Sequence, residues 1–544
     1  MESAKDTCKQ PQRPRRSDDY HTDDVPARAA AELEAPAAGA EATTKSKEHI
    51  PTPAKPPYSI YTVDEKWAIV AVAAFAALFS PFTANIYFPA IPTLANAFHR
   101  SVEDINLTVT VYMIVQGVSP MLWGTLADRW GRRPMFCACM LILCLLCVGL
   151  ALMPTDAYWL LMLLRCLQAA GSASTVALGA GVIADIAEPK ERGMYYGIWN
   201  MGPMIGPCLG PVLGGVLAED LGWRSIFWFL AISSGVCFVL ILALMPETLR
   251  AYVGDGSIPP PRGYQPLIPV IGHKRKNSVP TDPSARPPRR GFQNPFKLFL
   301  MPDVTLLLFF NGVVYAVFYG VTTSISVLFQ DTYPYLTETD VGLCFLAIGG
   351  GMFVGGIVTG KIIDREYRRV KDKMIAAIEK EPDPEKRLRP EDVTKEEHFP
   401  IEKARLRLMP FYLGLFVAMS IVYGWLLDAK VNIAGPLIVQ IFLGYAVVAT
   451  MNVTQTIIVD LVPGQSASIT ACNNLVRCGL GAALVSVIDL ILNRLGPGWT
   501  YVLLPGICVV LSPIMLFTYY MGPIWRARRR AKRQAHEAVA ASKS

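Results

Sequence analysis

Gly124-Thr125-Leu126-Ala127-Asp128-Arg129-Trp130-Gly131-Arg132-Arg133 lies between two long apolar stretches, and a related decapeptide, Gly360-Lys361-Ile362-Ile363-Asp364-Arg365-Glu366-Tyr367-Arg368-Arg369, lies between two later ones. The offset is 236 residues at Gly124 and Gly360, at Asp128 and Asp364, and at Arg133 and Arg369. Further on, Asp185 matches Asp460 and Gly206 matches Gly481, both at an offset of 275. The 39 extra residues place an insertion between the second and third apolar stretches of the later half. The chain is therefore read as two copies of one unit.

Working outward from the two decapeptides, each copy holds six apolar runs of about 20 residues, the length that crosses about 30 Å of hydrocarbon as helix. The first six run from Trp67 to Tyr87, Asn106 to Leu126, Met135 to Met153, Ala157 to Ile183, Met194 to Leu217 and Ser225 to Met245. The second six run from Val304 to Phe329, Val341 to Ile363, Leu408 to Leu427, Ala434 to Ile458, Ser466 to Ile491 and Thr500 to Met521. Among the 544 residues 52% are hydrophobic and 17% charged, against roughly 25% charged in soluble proteins. No period-2 strands of a membrane barrel are seen. The fold class is all-α membrane protein, two six-helix bundles related by internal repeat.

The polar segments divide the chain further. Residues 1–64 lack any apolar period and are expected to be a disordered tail. Residues 65–247 form the first bundle, 248–302 a linker, 303–522 the second bundle with a charged insertion at 364–407, and 523–544 a basic tail. Lys and Arg cluster at Arg129, Arg132, Arg133, Lys190 and Arg192, nine times from Arg250 to Lys297, through the insertion, and from Arg526 to Arg533. The opposite loops hold only Arg100, Arg224, Lys430 and Arg494. The excess marks the cytoplasmic side, so both termini are expected there. The formal charge of +7 thus reads as orientation, not nucleic-acid binding.

At this point the Gly124 to Arg133 signature resembles that of the major facilitator superfamily. Asp128, Arg129, Arg132 and Arg133, with Asp185 across the same face, have the make-up of a latch. Asp364, Arg365 and Asp460 repeat it. The fifth run carries Gly202, Gly206, Pro207, Gly210, Pro211 and Gly214, glycines at every fourth position that flatten one helix face. It is similar to the antiporter signature of that superfamily. Arg165-Cys-Leu-Gln168-Ala-Ala-Gly171, the segment Ser80 to Pro92, Gly222-Trp223-Arg224, Pro246-Glu247-Thr248 and Phe399 to Arg405 resemble the fungal twelve-span drug:proton antiporters, in particular the quinidine-resistance-like branch. The resemblance covers Trp67 to Met521 and implies alternating access, a small organic substrate, exchange with protons, no cofactor, and a monomer in the plasma or vacuolar membrane.

One position departs from the pattern. Bacterial relatives have Asp where this chain has Asn85, and the nearest acid of any span, Asp489, lies toward an outer end. Arg165 lies about 12 Å into its run and Arg477 about 17 Å into its own, both near mid-depth. Two buried cations without an acid favour an anionic cargo. Arg165 and Arg477 are expected to face one water-filled cavity, with Gln168, Asn85 and Asn474 adding hydrogen bonds and Tyr319 an apolar wall. The reading is export of a drug-like compound or metabolite, with a carboxylate exporter as the alternative and a nutrient sensor as a minor third. No phosphate-binding loop and no metal-spaced His/Cys cluster is present, so neither nucleotide-driven transport nor enzyme chemistry is expected. Cys144 and Cys147 lie inside an apolar run and read as packing. If the orientation is right, epitope tags at either terminus stay unlabelled in intact cells and become labelled on permeabilisation; labelling from outside refutes it.

Overall fold

The computed structural model describes residues 58–188, 191–271, 295–379, 399–462 and 466–541. Expectations for residues 1–57, for the middle of the linker and for 380–398 fall outside these. Eleven helical stretches are long and apolar enough to cross a membrane: Val63–Phe98, Val102–Trp130, Arg132–Leu152, Tyr158–Ile186, Met194–Leu221, Arg224–Leu244, Pro302–Thr332, Glu338–Ile378, Ile401–Asp428, Ala434–Leu461 and Ile488–Ala531. The helix Ser466–Val485 carries Asn473, Asn474 and Arg477, which keep it off that count, yet it packs along the second and seventh spans. With it the spans among the described residues number twelve, six in each half.

Local sequence sets the helix ends. Thr62 accepts from the backbone N–H of Glu65 while Glu65 reaches back to the N–H of Thr62, a reciprocal cap that starts the first span at Val63, four residues before the apolar run. Gly496, at φ +72°, turns the chain between an outer segment and the twelfth span. The eighth span does not stop at Ile363. Its helix runs unbroken from Glu338 to Glu379, so the first part of the expected insertion is a helical extension of the span. The final helix likewise continues from Pro513 to Ala541, past the expected end at Met521. Its Arg526 is bound by Glu402 at 2.7 Å, and its Arg529 by Asp303 at 2.6 Å. Both acids are wholly buried, so these arginines belong to the second half and not to a free tail.

Apolar attraction cannot hold helices together in lipid, so close backbone approach has to. The fifth span supplies it on two faces. A Cβ on Gly202 would lie 2.4 Å from the carbonyl oxygen of Ala74, one on Gly206 2.9 Å from the amide of Phe82, and one on Gly214 2.0 Å from the carbonyl oxygen of Ile86. Gly210 is also against Ile86, while Pro207 and Pro211 lie within the helix. The other face meets the eighth span, where a Cβ on Gly342 would lie 2.6 Å from the carbonyl oxygen of Pro211 and one on Gly349 2.7 Å from Cα of Cys208. The second and eleventh spans form a matching seam at Gly117 and Cys478.

Two ends follow from this arrangement. One, the basic face, carries the turns at Gly131 and between Ile186 and Arg192, together with Arg526 and Arg529. The other, the distal end, is where the halves are bonded across the seam: Asn106 to Asp489 at 2.5 Å, Asn493 to Glu103 at 3.1 Å, the Thr339 N–H to Glu219 at 2.9 Å, and Thr93 to Glu338. Phe88 stacks on Phe345 just beneath, with ring centroids 6.3 Å apart. The structure is thus closed distally. Gly214→Ala is expected to lower the melting temperature of the purified protein markedly, whereas Gly197→Ala, with open space around its would-be Cβ, should leave it nearly unchanged. Equal effects would show that the first and fifth spans do not depend on this contact.

Candidate transport site

The polar groups at mid-depth form two clusters, one in each half. In the first, Arg165 is fully enclosed, at 0% exposure. Its guanidinium lies 4.1 Å from the ring centre of Tyr87 and 4.5 Å from that of Tyr112. Nη1 donates to Gln168 Oε1 at 2.7 Å and to the carbonyl oxygen of Thr83 at 3.4 Å. Gln168 in turn donates to Cys147 Sγ at 3.2 Å. Nε and Nη2 have no hydrogen-bond partner. A central guanidinium costs roughly 3 kcal/mol to insert, and a desolvated cation over an aromatic face recovers about 2 kcal/mol. Two rings, the Gln168 amide and the Thr83 carbonyl thus surround the charge. The expectation that Arg165 faces a wet cavity is corrected here: tyrosines from the first and second spans fill the space on either side. Tyr112 is itself held by Thr83 at 2.7 Å and Ser172 at 2.8 Å, which fixes the ring. Asn85 lies in the same half but donates back to the carbonyl oxygen of Pro81 at 2.6 Å. It makes no bond to Arg165.

The second cluster sits on the seam. Arg477 is only partly enclosed, donates from Nη2 to Asn474 Oδ1 at 2.8 Å, and lies 4.7 Å from the ring centre of Tyr315. Its Nε has no partner. Asn474 donates across the seam to the backbone carbonyl of Gln116 at 2.8 Å. Tyr319, one helical turn above Tyr315, packs on it with ring centroids 4.5 Å apart and meets Phe88 of the other half at 6.4 Å. Toward the basic face the cluster continues as Asn311, which donates to Asn473 at 2.8 Å, and Asn473, which donates to Gln455 at 2.5 Å. Arg477, Asn474 and Tyr319 are thus brought together, while Arg165 and Gln168 form a separate closed cluster. Sequence reasoning missed Tyr315, although its spacing of four from Tyr319 places both on one helix face. It placed Tyr87 in the Ser80 to Pro92 segment but set neither Tyr87 nor Tyr112 against Arg165, because that contact lies between helices.

On the basic face Arg132 bonds Asp128 at 2.7 Å and Asp185 at 3.0 Å. Arg133 turns inward instead, donating to the carbonyl oxygens of Leu242 at 2.8 Å and Gly263 at 3.3 Å. The backbone carbonyl of Arg129 accepts from Tyr252 of the linker at 2.9 Å. Glu247, from the Pro-Glu-Thr segment, accepts from the backbone N–H groups of Arg132, Arg133, Thr248 and Leu249 at 2.9 to 3.3 Å. Burial pushes its carboxyl above the usual range, and those donors pull it back. A carboxylate at the start of the third span meets the positive end of its helix dipole. Gly131, at φ +107°, leaves room for it: a Cβ there would lie 2.4 Å from Glu247 Oε2. The second half is wired differently. Asp460 pairs with Arg405 at 2.9 Å, Arg368 reaches only the backbone carbonyl of Asp364, and the exposed Asp364 and Arg365 make no side-chain bond among the described residues.

Twelve spans in two halves have the architecture of a membrane transporter. The comparison with known families agrees: the Major Facilitator Superfamily profile matches residues 73–379, and the chain belongs to that family. It is similar to citrate exporter 1 of Aspergillus niger, with 37% identity over 88% of this chain and 90% of that one. To the MFS antiporter QDR1 of Candida albicans it is 32% identical over 86% and 90%. Among solved structures a D-xylose-proton symporter superimposes with a TM-score of 0.60 over 82% of this chain and 97% of that one, at 12% identity. Asp128→Asn is expected to reduce transport severalfold with surface abundance intact, because it removes one of the two acids on Arg132. Asp364→Asn should do much less; equal or reversed losses would contradict the asymmetry between the two loops.

Proposed function

We propose that this chain exports a small organic molecule bearing a carboxylate, by alternating access of its two halves, working as a single chain in the plasma membrane with the basic face and both termini in the cytoplasm. The observation that carries the reading is Arg477. It lies near mid-depth on the seam, its guanidinium meets an amide and a ring but no acid, and its Nε is unpartnered. A carboxylate is the ligand whose two oxygens match that planar donor pair. The amide ladder of Gln455, Asn473 and Asn311 offers hydrogen bonds along the path from the basic face, and Tyr315, Tyr319 and Phe88 supply the apolar wall usual in small-molecule sites.

The relatives support export of this kind, since one carries citrate in its name and another is named an antiporter. Exchange for protons is part of the proposal, because a gradient has to supply the energy. The ring wall favours a second reading, a drug-like cargo held mainly by its apolar surface. Efflux assays with labelled organic acids separate the two. For a carboxylate, Arg477→Lys should lose nearly as much transport as Arg477→Ala, because lysine keeps the charge but not the two-pronged geometry. Rescue by lysine would favour the drug-like cargo, and unchanged transport in both variants would remove Arg477 from the site.

A further inference from the structure

The acids of the two ends are treated in opposite ways. On the basic face six of them meet cations within their own half, Asp128 and Asp185 on Arg132, Asp460 on Arg405, Glu402 on Arg526, Asp303 on Arg529 and Glu191 on Lys66, while Glu247 takes backbone N–H groups and Asp364 is exposed. At the distal end Glu103, Glu219, Glu338 and Asp489 reach across the seam and meet neutral donors. Among the described residues none of these four takes part in an ion pair.

Asp489 is the most enclosed of them. It is 9% exposed, and its partner Asn106 is 1% exposed. The charged or titratable groups that face it are Glu103 from the second span, of like sign, and Tyr501 from the twelfth, which is bonded to Ser324 of the seventh at 2.5 Å. Arg494, in the next turn, is exposed and not paired with it. An ionised Asp489 in this closed seam is desolvated, stands beside a like charge and has no cation to offset either. Asn106 adds a second observation. Its Nδ2 donates to Asp489, but its Oδ1 is buried without a donor. A proton on Asp489 removes the charge and supplies the donor that the amide oxygen lacks.

We propose that Asp489 is the proton-binding group of the distal gate, a neutral acid paired with Asn106 when the halves are closed there and a carboxylate when they part. Acid on the distal side then closes this end, and alkali opens it. The sign follows from burial: the neutral form is favoured in the seam and the ionised form in water, so raising the pH draws the population toward the parted state. The device holds for any cargo, and no proton has to pass through the protein for it to operate.

The test is a distance measurement on the full-length purified protein, with nitroxide labels at exposed Leu221 in the first half and exposed Ala429 in the second. Between about pH 5.5 and about pH 8.5 the unsubstituted protein should move from a short to a longer distal separation. Asp489→Asn should stay short at both. Glu103→Gln, an outer-end change that keeps an acceptor for Asn493, should shrink the alkaline shift by relieving the like charge, and it reports even if the Asp489 variant does not fold. A separation independent of pH, a wild-type response in Asp489→Asn, or an unchanged response in Glu103→Gln would overturn the proposal.

Discussion

A guanidinium within a bilayer has to be solvated by the protein that carries it, and the arrangement of both halves depends on how this is done. Arg165 is wrapped by Tyr87 and Tyr112, so its neighbours in the first, second and fourth spans are pinned around it and leave no opening. Arg477 lies on the seam, half-buried where Arg165 is fully enclosed. The closed cluster makes the first half a rigid body with a fixed interior. The other leaves a half-buried cation on the seam between the halves.

Rigid halves move only if the surfaces between them can slide, and the seams are built for that. Where the fifth span meets the eighth, and the second meets the eleventh, glycines bring backbone atoms close, and the flexible side chains of Met204 and Met113 lie against Gly356 and Gly481. The ion pairs of the basic face lie within a half and survive a rocking motion, whereas the distal hydrogen bonds cross the seam and have to be exchanged for water.

Much of this was legible in the residues because helical spacing is local. The repeat at Gly124 and Gly360 announces two halves, Gly202 to Gly214 announces a flat face, and Asn474 with Arg477 lie one turn apart on one helix. What lay between helices was not legible. Arg405 serves Asp460 where the repeat pointed to the loop of Asp364, which has Tyr367 in the place of Gly131. Arg526 and Arg529 looked like a solvated cluster until Glu402 and Asp303, more than a hundred residues away, were found against them. Arg165 was read as facing a cavity, whereas Tyr87 and Tyr112 enclose it, a contact between helices that spacing along any one of them does not show.

The unbroken eighth helix has a mechanical consequence. Past Asp364 it extends as a stiff rod to Glu379, about 23 Å at 1.5 Å per residue. Because it is continuous with a span of the second half, any tilt of that half is carried to its tip without loss, and about 10° of tilt sweeps the tip through about 4 Å. The rod works as a pointer on a dial: it turns an angular change buried in the bilayer into a linear displacement in the aqueous phase, where a binding protein, an antibody fragment or a fluorophore can read it.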